Sequence, residues 1–211
     1  MPELSTVVAY GLISLGMVLT PGPNMIYLIS RSICQGPVAG LISLGGVALG
    51  FVVYMVLAAL GITALVMAVP YAYDALRIGG ALYLLYLAWQ AVKPGGRSAF
   101  QVKDLPMDGP RKLFMMGFVT NLLNPKVAVM YLSLLPQFID PTDHGSVLTQ
   151  SLVLGFTQIF ISVSVNAMIA ITAGSIAAFF VGRPFWQVVQ RWLMGTVLMG
   201  LAVRMLIDGR R

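Results

Sequence analysis

Residues 4–30 read LSTVVAYGLISLGMVLTPGPNMIYLIS, an apolar stretch without a charged side chain, interrupted partway along by Thr20-Pro21-Gly22-Pro23-Asn24. About 20 apolar residues suffice to carry a helix across a bilayer, and this stretch is longer. Two prolines around a glycine, however, cannot keep the i to i−4 hydrogen bonds of one continuous helix. The first expectation is a helix that crosses lipid and breaks on the way. A single proline suffices to kink a packed membrane helix, whereas backbone groups freed at this depth need a polar cavity.

The rest of the chain has the same character. Residues 32–73 and 145–182 are also uncharged, and of the 211 residues 58% are apolar and 9% charged. An ordinary soluble domain carries about 25% charged residues, so no soluble fold of this size hides so much apolar surface. The pattern predicts an all-α integral membrane protein of about six transmembrane helices, over about 5–30, 38–69, 72–92, 113–138, 147–182 and 186–207. The first stretch follows Glu3 and has no basic leader, so it reads as a retained helix with the mature chain starting near Met1. Between the third and fourth helices, Lys93 to Lys112 is polar and rich in proline and glycine. It divides the chain into a first repeat (1–92), a loop (93–112) and a second repeat (113–211).

The loops after helices 1, 3 and 5 collect Arg31, Lys93, Arg97, Lys103, Arg111, Lys112, Arg183 and Arg191. By the positive-inside rule that side is cytoplasmic, which places both termini outside. Arg210 and Arg211 count against this orientation, and five crossings with one re-entrant segment stay open as the alternative. The net charge of +6 is thereby explained by topology, with no basic stripe for nucleic acid.

The two halves echo each other. Pro21 and Tyr27 are spaced like Pro125 and Tyr131, each Tyr is followed by Leu, and Leu49-Gly50-Phe51 recurs as Leu154-Gly155-Phe156. A repeat of three helices inserts its second copy upside down, which predicts two inverted three-helix repeats with helices 1 and 4 broken at their proline motifs.

At the second break, Asn124-Pro125-Lys126 has Asn where a helix cap belongs and Pro in the first helical position. Half-helices starting near Asn24 and Asn124 would point positive dipole ends inward, a natural seat for a substrate carboxylate. Lys126 is the one charge deep inside an expected span, too far from either edge to snorkel. Burying it costs roughly 2.5–3.5 kcal/mol, and intramembrane charges are usually functional. It is the candidate to take a proton as a carboxylate docks and to lose it when the site reopens. Gln158, Ser162 and Asn166 share one helix face, which fits either a substrate path or polar glue between helices. Gly46 and Gly50 form a GxxxG pair whose default role is packing.

Together these motifs resemble the LysE/RhtB family of amino-acid exporters: Thr20-Pro-Gly-Pro-Asn24, Asn124-Pro-Lys126, and Leu135-Pro-Gln-Phe138 with Asp140-Pro141. Arg31 and the glycines at 36, 40, 45, 46 and 50 follow at similar spacings, and the length matches throughout. Ala88 stands where the family often has glycine. The resemblance implies efflux of amino acids or close derivatives, such as threonine, homoserine or homoserine lactone, driven by the proton gradient. The partners are then the small-molecule amino acid, protons and the lipid bilayer of a bacterial inner membrane, with no cofactor, no metal and no nucleic acid. A homo-oligomer is compatible with the sequence. The substrate-binding candidates are Thr20, Pro21, Gly22, Pro23, Asn24, Asn124, Pro125, Lys126, Gln158, Ser162 and Asn166. A passive channel or a non-transporting scaffold is the alternative. Cys34 is the only cysteine and His144 the only histidine, so a thiol relay or a nucleophile-and-base enzyme lacks its residues.

Overall fold

The computed structural model describes residues 2–62, 72–93, 107–140, 146–180 and 183–207, and these are helical with short connections. The loop residues 94–106, including Arg97 and Lys103, and Asp143 and His144 lie outside the described residues.

Prolines and glycines set the boundaries. Helix α1 (Leu4–Leu19) stops at Thr20, which is extended because the residue before a proline is disfavoured in the helical region. Gly22 is extended too, and Pro23 then opens α2 (Pro23–Gln35) at the position where a missing N–H costs nothing. The two helices meet at a bend of 54°. Gly36, at φ 88°, ends α2 in the left-handed region that only glycine enters freely, and Pro37 starts α3 (Pro37–Leu57) directly. A π turn, Ala58–Ile62, follows. Helix α4 is Ala72–Val92 and α5 is Pro110–Leu122. After Leu123, Asn124 caps the short α6 (Pro125–Val129), which widens into a π turn (Met130–Leu134) and tightens into a 3₁₀ turn (Leu135–Phe138). Helices α7 (Val147–Phe180) and α8 (Pro184–Ile207) complete the chain.

Both expected breaks are therefore present, the second with a bend of 49°. Among the described residues, two helices are long and apolar enough to cross a membrane, Pro37–Leu60 and Val147–Ser175. The two bent pairs qualify as well if each is one broken span. Helix α4 carries Asp74 and Arg77, and α8 carries Gln187, Gln190, Arg191 and Arg204. Leu123, Phe160 and Ile207 are about three-quarters exposed, the pattern of side chains that face lipid.

Glycines bring α3 against α5. A Cβ on Gly46 would collide with the Phe114 carbonyl oxygen, and one on Gly117 with that of Ser43, so each backbone sits in the other's groove. Asn121 fills the space over Gly50 in the same interface. Helix α7 packs against α1, α2 and α3, while α4 pairs with α8. At one end, Arg31 in α2 makes a 2.8 Å ion pair with Asp108, both side chains being buried. Gln35 exchanges two hydrogen bonds with the Asp108 backbone, and Lys112 binds the other carboxylate oxygen at 2.6 Å. The Lys112 hydrogen bond, then the Arg31 charge, hold the Asp108 carboxyl below the usual carboxylate range. This cluster pins the start of α5 to the end of α2.

Gly46→Val forces a side chain into the Phe114 carbonyl and should destabilise the protein by about 1–3 kcal/mol or more. Gly174, with open space around it, serves as the control. Gly174→Ala should stay within about 0.5 kcal/mol in thermal unfolding of the purified protein.

Candidate functional site

The C-terminal end of α1 has carbonyls that the break deprives of backbone donors, since Pro21 has no N–H. Gly16 O keeps its donor, the Thr20 backbone N–H, and also accepts from the Thr20 hydroxyl at 2.8 Å, while Met17 O and Thr20 O lose theirs. Lys126 serves both of these. Its Nζ donates to Met17 O at 2.8 Å and to Thr20 O at 2.7 Å, and the residue is only 9% exposed. Gly22 leaves the room for this: a Cβ there would meet Lys126 Cε and Nζ at 3.1 Å.

Lys126 thus stands in a different field from the expected one. The sequence puts it in the first turn of its own half-helix, beside the positive end, whereas its side chain crosses to the negative end of α1. The positive end itself is weaker than expected, because Asn124 Oδ1 already takes the Lys126 backbone N–H at 3.0 Å. Helix α2 has thirteen residues and no side-chain cap, so its first turn keeps free N–H groups.

Between these elements lies a cavity of about 30 Å³, room for a water molecule or two. Its polar wall is Asn24, Lys126, Gln158, Ser162 and Asn166; its apolar wall is Met17, Val18, Met25, Phe51, Val127 and Met130. The i, i+4, i+8 face of α7 is internally bonded as well as cavity-lining. Gln158 Nε2 donates to Ser162 Oγ at 2.9 Å, and Asn166 Nδ2 donates to the Ser162 carbonyl at 2.8 Å. Asn24 Oδ1 and Asn166 Oδ1 are buried without a partner. An amino acid is larger than this space, so its entry requires the walls to part.

Of the sequence candidates, Asn24, Lys126, Gln158, Ser162 and Asn166 come together on this cavity. Thr20 contributes its carbonyl, and Gly22 the space behind Lys126. Pro21, Pro23, Asn124 and Pro125 do not line it; Pro23 and Pro125 are exposed and act through the backbone they break. Sequence reasoning missed the methionine and phenylalanine wall. It also missed Tyr131, whose hydroxyl donates to Gln158 Oε1 at 2.6 Å and whose ring stacks on Tyr54. The six-residue spacing from Pro125 to Tyr131 was the available signal. Tyr54 has the polar partner its depth demands, donating to the Leu122 carbonyl that the second break frees.

Tyr131→Phe leaves Gln158 Oε1 without its donor in a buried site and should cost about 1–3 kcal/mol in unfolding of the purified protein. An unchanged stability would remove Tyr131 from the site's framework.

Comparison with known proteins gives a consistent set. A family model described as LysE type translocator matches residues 15–209. Leucine efflux proteins of Salmonella typhimurium and Salmonella choleraesuis are 27% identical over 194 residues, covering 90% of this chain and 89% of theirs. An uncharacterized membrane protein of Pseudomonas aeruginosa is 33% identical over 132 residues, 59% of this chain and 60% of that relative's length. No solved structure matches.

Proposed function

The chain belongs to the LysE type translocator family, and from that premise we propose that it exports amino acids or close derivatives by proton antiport across a bacterial inner membrane. Family membership makes it a multi-pass membrane translocator and not an enzyme.

The observation that carries this reading is the buried polar cavity between the two helix breaks. Its lining has two characters. Lys126, the first turn of α2 and the Gln158 face suit a charged backbone, while Met17, Met25, Phe51 and Met130 suit an apolar side chain. Methionines adapt to different shapes. The apolar wall favours leucine and similar amino acids over threonine or homoserine, in line with the leucine efflux relatives. Among the described residues lining the cavity, Lys126 is the one that titrates. It takes the proton as the substrate carboxylate docks and releases it when the site reopens on the other side.

In this reading 1–92 and 113–211 are inverted repeats whose six spans include α4 and α8, joined by a cytoplasmic loop at 93–112. The packing supports it. The α3–α5 pairing has its counterpart in α7 against α1 and α2, and α4 pairs with α8 as elements related by a two-fold axis do. A cysteine introduced at Ser98 should resist an impermeant reagent added outside intact cells; labelling there contradicts the orientation.

Counterflow of labelled leucine in proteoliposomes tests the transport itself, since only a carrier exchanges substrate without net flux. A channel gives none, and absence of counterflow across a panel of amino acids sinks the exporter reading. Lys126→Gln should abolish export driven by an imposed pH gradient while the protein stays folded in the membrane. Export at the wild-type rate with an unchanged pH profile would make Lys126 structural.

A further inference from the structure

Resting on that reading, we propose that the Met17 and Thr20 carbonyls are the seat of the substrate's α-ammonium group, and that Lys126 fills this seat as an internal stand-in while the site is empty of substrate.

The two carbonyls converge on one primary amine nitrogen, at 2.8 and 2.7 Å. An amino acid carries the same kind of nitrogen, an ammonium whose three donors include the two that the neutral lysine amine gives these carbonyls. Two donors would satisfy the carbonyls, and a third acceptor waits nearby: Asn24 Oδ1 has no partner although the residue is 6% exposed and lines the cavity. A break in α1 that served only to bend the helix would need no ammonium at its end. Here the freed carbonyls are buried against the cavity, where an unmatched acceptor is costly, so whichever amine is present must occupy them.

The exchange also keeps charge in balance. An arriving zwitterion brings an ammonium for the carbonyls and a carboxylate for the displaced Lys126, which takes up its proton there, so no buried charge is left alone. Lys126 has a way out: Gly22, against which its Cε and Nζ lie, offers no side chain to hold it. The same competition gives specificity. A 2-hydroxy or 2-oxo acid cannot displace the lysine, because it brings the carboxylate without the ammonium.

The test uses the full-length protein in lipid nanodiscs and methylammonium chloride, an amine small enough for the cavity as it stands. Lys126→Met empties the seat, so methylammonium should bind this variant at least about tenfold more tightly than wild type. Tetramethylammonium, which has no N–H, and sodium should show no such gain. Gly22→Ala keeps the lysine but crowds it at the seat, and it should raise methylammonium affinity in the same direction. In wild-type protein, 2-hydroxy-4-methylpentanoate should compete with leucine at least about tenfold less well than unlabelled leucine does. No gain in folded Lys126→Met or Gly22→Ala, an equal gain for sodium or tetramethylammonium, or equal competition by the hydroxy acid overturns the proposal. The methylammonium measurements need no transport, so they stand apart from a failure of leucine counterflow, which would strike the exporter reading instead.

Discussion

Two hydrogen bonds from one lysine to the broken end of α1 tie the molecule together. Helix breaks inside a membrane are costly because each frees backbone groups that lipid cannot satisfy. The first break meets this by receiving Lys126 Nζ from the second, and the second receives the Tyr54 hydroxyl from α3 at the Leu122 carbonyl. Neither half satisfies its own break completely. The breaks therefore hold the halves together, and the space between them has a polar wall.

The breaks are related but not equivalent. The first leaves a helix with an uncapped start, the second a helical run, Pro125–Phe138, that is capped by Asn124 and passes through π and 3₁₀ turns. One presents free N–H groups and carbonyls, the other the lysine side chain that bonds to those carbonyls. Under the proposed function, that division of roles suits a site for both ends of a zwitterion that also changes its protonation. The Arg31–Asp108 cluster lies at a distance from this cavity, fastening α2 to α5, and the glycine seam between α3 and α5 continues the same contact.

Much of this is legible in the sequence because it depends on local rules. Pro21 and Pro23 around Gly22 forbid a continuous helix, Asn124 before Pro125 specifies a helix start, and the spacing of Gln158, Ser162 and Asn166 puts them on one face. Lys126 stands out as a charge where lipid allows none. What the sequence does not carry is the identity of its partners. Backbone carbonyls look alike at every position, and Met17 and Thr20 lie 109 and 106 residues from Lys126. The same distance problem hides Arg31 with Asp108. The shortness of α6 is hidden for another reason: its π and 3₁₀ turns follow an apolar pattern that reads as ordinary helix.

The central claim is that the two breaks meet at one depth and enclose the substrate. An electron cryomicroscopy structure of the protein in lipid nanodiscs with leucine tests it most directly. The account predicts Pro21 and Pro125 side by side near the bilayer midplane, with amino-acid density between the end of α1 and the Gln158, Ser162 and Asn166 face. Breaks lying at opposite membrane surfaces, with Lys126 among lipid headgroups, would contradict it.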